Sequence, residues 1–193
     1  MKLKNQDQLK TDNPPGWRFW LLWTFISTLG WGLGWVVSFL IGWRVASLTL
    51  PWMGKASSDN LGWWTMGALL GLWLGGPQWL LLRRRLEGAR MWPLASVAGG
   101  LIGAEIGWLA SPQVLQYGVG VETLGAWMIT GLMVGVAQWY VLRRSVSLAT
   151  WWAAISALCW VLAMAGWPLG AIPAGAVSGA VMVWMLRHLI QGG

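Results

Sequence analysis

Gly71 to Arg85 reads GLWLGGPQWLLLRRR, and sixty residues later Gly131 to Arg144 reads GLMVGVAQWYVLRR. The two stretches match at Gly71 and Gly131, Gly75 and Gly135, Gln78 and Gln138, Trp79 and Trp139, Leu82 and Leu142, and at the arginine pairs Arg83, Arg84 and Arg143, Arg144. A looser third copy lies near the end of the chain as Gly175, Gly179, Leu186 and Arg187, with Met182 and Val183 in place of the Gln-Trp pair. The segments that precede these copies repeat as well. Trp23, Ser27, Gly30 and Gly34 correspond to Trp92, Ser96, Gly99 and Gly103, and to Trp152, Ser156, Cys159 and Ala163. The chain therefore reads as three helical hairpins, each an outgoing Trp-x3-Ser helix followed by a returning helix that ends in Leu-Arg.

Composition fixes the solvent these hairpins are built for. Of 193 residues, 56% are hydrophobic and 10% charged, against about a quarter charged in soluble domains. At about 20 apolar residues per crossing, the sequence predicts an all-α polytopic membrane protein of six spans near 17–43, 61–82, 91–110, 122–142, 149–167 and 169–187. Residues 17–190 form one membrane domain, with repeat units of about 17–85, 90–144 and 149–190. Residues 1–16, polar and containing Pro14-Pro15, read as a flexible tail. The first apolar run is too long for a signal h-region and reads as a retained span.

The formal charge of +7 reports topology, not an acidic partner such as nucleic acid. Eleven basic residues, among them Arg83, Arg84, Arg85, Arg90, Arg143, Arg144 and Arg187, fall on one side of the spans, and only Arg44 and Lys55 on the other. The positive-inside rule then puts both termini in the cytoplasm. The inner arginines serve as headgroup anchors, and the Arg83–Arg90 cluster offers a site for anionic lipid or an acidic partner. The segment 45–60 between the first two spans is long enough to lie along the membrane surface.

At 100° per residue Gly67, Gly71, Gly75 and Gln78 share one helix face, as do Gly131, Gly135 and Gln138. Small residues four apart let helices approach closely, and an amide on that face hydrogen-bonds across the contact for about 0.6 to 2 kcal/mol. Packing seam and ligand site near the cytoplasmic leaflet are both open readings of Gln78 and Gln138. Pro77 is expected to kink the second span and free the Trp73 carbonyl. Of the twenty tryptophans, most read as interfacial belts: Trp17, Trp20, Trp79, Trp92, Trp139, Trp151, Trp152 and Trp184 on the inner side, and Trp35, Trp43, Trp52, Trp63, Trp64, Trp108, Trp127 and Trp167 on the outer. Trp31, Trp73 and Trp160 fall closer to mid-membrane and either pack against lipid and helices or hold a flat apolar ligand.

Glu105 is the one ionisable residue well inside a span, and such residues are functional candidates. An ion pair with Arg44, or a protonated or snorkelling Glu105, are its two readings. With Cys159 the only cysteine and His188 the only histidine, no disulfide and no His/Cys metal centre can form within the chain. No paired carboxylate or activated nucleophile stands out, so a non-enzymatic role is expected.

The repeated G-x3-G-x2-Q-W-x3-L-R-R, followed by the Trp and small residues of the next span, resembles a family of Trp-rich repeat membrane proteins of oxygenic phototrophic bacteria. The resemblance covers residues 62–108 and 125–167. It implies a plasma or thylakoid membrane and photosynthetic partners, and it carries over no catalytic residue. The function expected from all this is a membrane component that packs with partner membrane proteins or its own copies, or binds a lipid or pigment. The alternative is a transport component resembling the vitamin-binding subunits of energy-coupling-factor transporters, whose pocket would draw on Glu105, Asn60, Gln113, Gln116, Tyr117 and Glu122.

Overall fold

The computed structural model describes residues 15–86, 88–110, 124–146, 148–167 and 169–191; Gln113, Gln116, Tyr117 and Glu122 fall outside them, as do residues 1–14. Within these limits the chain is all helical, with six α-helices: α1 Trp17–Met53, α2 Lys55–Leu82, α3 Trp92–Ala110, α4 Leu124–Leu142, α5 Thr150–Ala165 and α6 Ala171–Gln191. Each helix packs on the next in the sequence, and α6 packs back on α1, so the three hairpins close into a ring. Two of the helices, α1 and α4, are long and apolar enough to cross a membrane.

Two kinds of seam alternate around the ring, and both follow from the repeated small residues. Within a hairpin, the small residues of the outgoing helix meet the returning one: Gly30 and Gly34 face Trp73 and Leu74 or Leu70 of α2, and Gly99 and Gly103 face Val134 and Thr130 of α4. Between hairpins, the glycine row of the returning helix meets the next outgoing helix. Gly67 lies on Gly100 and Ala104, Gly71 on Ser96 and Val97, and Gly75 on Ser96; Gly131 lies on Trp160, Gly135 on Ala153 and Ser156, and Gly175 and Gly179 on Thr24 and Trp23. The last of these contacts joins the third unit to the first and closes the ring.

Pro77 lies inside a continuous α2. Its missing N–H frees the Trp73 carbonyl, and that oxygen faces Gly30, where a Cβ would come within 2.9 Å of it.

The arginine-bearing turns are also copies of each other. Leu82 O accepts from Arg85 N at 2.8 Å and Leu86 N at 3.0 Å, and Leu142 O accepts from Ser145 N at 2.9 Å and Val146 N at 2.8 Å. The small apolar residues Leu86, Ala89, Val146 and Ala149 are buried beneath these turns. Gly88, at φ +77°, is the one glycine here whose backbone a larger residue would strain.

The segment 45–60 departs from expectation. Instead of a surface-lying connection, α1 runs on to Met53 and α2 starts at Lys55, with the reversal confined to Gly54 at φ +73°. At 37 residues and 1.5 Å per residue, α1 is about 55 Å long. Its last three turns and the first turns of α2 form an antiparallel extension beyond the other four helices. The polar residues Lys55, Ser57, Ser58, Asp59 and Asn60 end the hydropathy of the span but not the helix, and Lys55 pairs with Asp59 at 2.7 Å one turn on.

Candidate functional site

At the arginine end, three outgoing helices bring Trp23, Trp92 and Trp152 together on the axis of the ring. Their exposures are 0%, 0% and 3%, and Trp152 stands 6.1 Å from Trp23 and 5.9 Å from Trp92 between ring centroids. Trp92 and Trp152, expected in an interfacial belt, are instead the plug of the bundle. A residue repeated once per hairpin at the same depth is carried to the axis when the hairpins close, and the repeat itself was the signal for it.

Two of the three plug tryptophans, Trp92 and Trp152, are held by the amide of the seam. Trp92 Nε1 donates to Gln78 Oε1 at 3.1 Å, and Gln78 Nε2 donates to Ser27 Oγ at 3.2 Å. One unit on, Trp152 Nε1 donates to Gln138 Oε1 at 2.7 Å, and Gln138 Nε2 donates to Ser96 Oγ at 2.8 Å. Every such relay ties three helices: the glutamine's own, the outgoing helix of its hairpin, and the outgoing helix of the next. Both glutamines are buried and use both ends of the amide on protein partners.

In the third unit Met182 occupies the glutamine position, and the pattern changes accordingly. Ser156 Oγ donates to Gly131 O at 2.8 Å. The α6–α1 seam is held by three bonds of other kinds: Trp23 Nε1 to Ser178 Oγ at 3.2 Å, Trp20 Nε1 to Ala176 O at 2.9 Å, and Thr28 Oγ1 to Ala171 O at 3.3 Å.

Toward the other end the axis is lined by a second aromatic group. Trp31 meets Trp160 edge to face at 4.6 Å, and Trp160, Trp127 and Trp63 follow one another at 6.1 Å spacings. Beneath Trp63, Trp127 and Trp160 lies an apolar cavity of about 30 Å³. A hollow of about 100 Å³ continues from Trp63 and Met66 along the α1–α2 extension. Several buried polar atoms of that hairpin have no hydrogen-bond partner among the described residues: Trp35 Nε1, Trp63 Nε1, Ser38 Oγ, Ser58 Oγ and Asn60 Oδ1. Trp73 is not part of this group; its side chain is exposed on the outside of the ring.

Glu105 lies off the seam, as its helical position requires, and its carboxylate oxygen Oε2 accepts from Trp64 Nε1 at 2.6 Å. The pair with Arg44 does not form: Glu105 is engaged by a neighbour on α2, while Arg44 is exposed on α1, which does not border α3 in the ring. Among the described residues the only ion pair is Lys55–Asp59.

The arginines stack on the aromatics one turn before them. Arg83 lies over Trp79 at 5.5 Å, Arg143 over Trp139 at 5.3 Å and over Tyr140 at 4.0 Å, and Arg144 over Tyr140 at 5.7 Å. Such contacts contribute about 0.5–1 kcal/mol at exposed sites. Arg85 lies over Phe19 at 5.3 Å, and Arg187 Nε donates to Pro15 O at 2.9 Å. Arg84 and Arg90 are exposed at the same rim.

No known protein family, curated protein or solved structure matches the chain. The site must therefore be judged on its own geometry. Among the described residues no three His, Cys, Asp or Glu side chains gather as a metal site. The polar groups that converge around the plug, Gln78, Gln138, Ser27, Ser96, Trp92 and Trp152, are bonded to one another.

Proposed function

We propose that the protein is a six-span integral membrane body, arginine rim and both chain ends toward the cytoplasm, that works through its outside by packing against partner membrane proteins and lipid. The observation that carries this reading is the exterior of the ring. Leu22, Phe25, Leu29, Leu33 and Leu40 of α1, Leu72 and Leu80 of α2, Leu94 and Ile102 of α3, Met128 of α4, Leu158 of α5 and Ile172 of α6 are all exposed. A soluble monomer rarely exposes a contiguous apolar patch beyond a few hundred Å², whereas helices apolar on every side are at home in a bilayer. Stacked arginine–aromatic pairs along one rim are what an interface anchor requires.

The interior supports the same choice. Its hollows of about 30 and 100 Å³ are below the roughly 300–1,000 Å³ of a small-molecule site, and the plug tryptophans block the axis at the arginine end. A vitamin-sized substrate has no room there, which favours the packing role over a transport subunit. A carotenoid or chlorin, suggested by the resemblance to proteins of phototrophic membranes, would have to lie on the outside.

The test is purification from source membranes in mild detergent, with native electrophoresis and a visible spectrum. The expected result is co-migration with a larger membrane assembly, and colour that stays with the protein if the partner is pigmented. A colourless protein that migrates alone as a monomer at every detergent concentration would refute the reading. Topology is checked separately with Cys159 replaced by alanine and single cysteines placed at Arg84 or Lys55. Only the second should react with an impermeant reagent added outside intact cells.

A further inference from the structure

We infer that Glu105 and Trp64 form a binding site on the outside of the ring for an amphiphile carrying a primary ammonium group on an alkyl chain. The two residues sit at a groove of about 340 Å³ between α2 and α3, completed by Leu101, Ile102 and Ile106. The groove opens to the exterior, and its lining is almost wholly apolar.

The occupant follows from charge and shape. Trp64 Nε1 holds Glu105 Oε2 at 2.6 Å, which fixes the carboxyl at the lip of the groove and leaves Oε1 without a hydrogen bond from any described residue. A carboxylate in apolar surroundings is costly unless a cation offsets it, and among the described residues no cation pairs with it. A primary ammonium satisfies both needs, since it donates a charge-assisted hydrogen bond to Oε1 and can rest against the neighbouring indole. The rest of the lining is branched aliphatic and suits an alkyl tail. An anionic or neutral head would leave the carboxylate uncompensated. Glu105 is five residues short of the end of α3 at Ala110, about 7–8 Å along the axis, a depth that on the membrane reading lies just below the headgroups.

The experiment titrates the purified full chain in neutral detergent with dodecylamine, protonated at neutral pH, and with dodecanol as the chain-matched neutral control. Thermal stability is read from labelling of the buried Cys159 by a thiol-reactive dye. Dodecylammonium should raise the midpoint saturably and dodecanol should not. Glu105→Gln keeps an acceptor for Trp64 and removes only the charge. It should fold normally and weaken dodecylammonium binding by at least about tenfold, and Trp64→Phe should weaken it by a smaller factor. Equal shifts with amine and alcohol, or an amine shift undiminished in Glu105→Gln, would overturn the site and leave Glu105 as a partner of Trp64 alone. The inference takes its depth from the membrane reading. Because the titration is made in micelles, its failure removes the ammonium site alone, whereas failure of the accessibility and co-migration experiments removes the membrane placement.

Discussion

Replacing Gly71 with alanine should separate α2 from α3 and cost more stability than the same change at a helical glycine whose Cβ position is open. A Cβ at Gly71 would run into the Ser96 carbonyl and stand 3.0 Å from the Val97 Cα. These are backbone atoms of the next hairpin, so no side chain can swing aside to make room. The helices must move apart by several tenths of an ångström to about 1 Å, and such overpacking typically costs about 1–3 kcal/mol. Separation also lengthens the neighbouring relay, because Gly75 and Gln78 ride on the same face. Gly32 of α1 is the internal control: a Cβ there meets nothing within 4 Å, and alanine gains about 1 kcal/mol of helix propensity over glycine. For a chain of this size each kcal/mol corresponds to about 2–4 °C. Gly71→Ala should therefore melt about 2–12 °C below wild type and Gly32→Ala at or slightly above it. The assay is dye labelling of Cys159, buried on α5 and away from the substitution. Equal midpoints for the two variants would show that the glycine row is not a contact between hairpins.

Other outcomes follow from the relays and the plug. Gln138→Leu leaves Trp152 Nε1 buried without its partner, while Ser96 Oγ keeps its bond to Trp92 O at 2.9 Å, and should cost about 1–3 kcal/mol, read as a lowered midpoint; Gln78→Leu should cost a similar amount. Met182→Gln restores the repeat, placing an amide next to Ser156 as Gln138 is next to Ser96, and should be tolerated with a loss below that of Gln138→Leu; aggregation on expression would contradict this. Trp152→Ala removes a buried indole and should cost about 3–5 kcal/mol, whereas Trp151→Ala, on an exposed neighbour, should be close to neutral in the same melt. Arg44→Ala should leave the midpoint of both wild type and Glu105→Gln unchanged, since Arg44 and Glu105 do not meet.

The repeat made the ring legible, and polarity made one part of it illegible. Gly67, Gly71 and Gly75 announced a seam in the sequence because helical spacing alone puts them on one face. That this face meets the next hairpin and not its own is a property of closure, which no single hairpin encodes. Trp92 and Trp152 were placed at an interface because they stand near the ends of spans. Depth along a helix says nothing of distance from the axis, and the three-fold recurrence of Trp-x3-Ser held the missing coordinate. The α1–α2 extension was hidden for a different reason. Hydropathy ends where serine, aspartate and asparagine begin, but backbone hydrogen bonding continues through Ser58 N to Gly54 O at 3.1 Å. The Glu105–Trp64 contact was missed because Trp64 looked like one more belt residue, although helical geometry had already turned Glu105 away from the seam.

The bond from Arg187 to Pro15 places the beginning and end of the described chain side by side on the rim that also bears the turns at Arg83–Leu86 and Arg143–Val146. Chain order thus leaves little mark on the circle. Splicing a few flexible residues between positions 191 and 15, and cutting instead within the turn near residue 147, would start translation at α5 and finish at α4 with every neighbour kept. A ring that survives being recut in this way would point to an ancestry of one hairpin copied and fused, with the cut made wherever the last fusion happened to leave it.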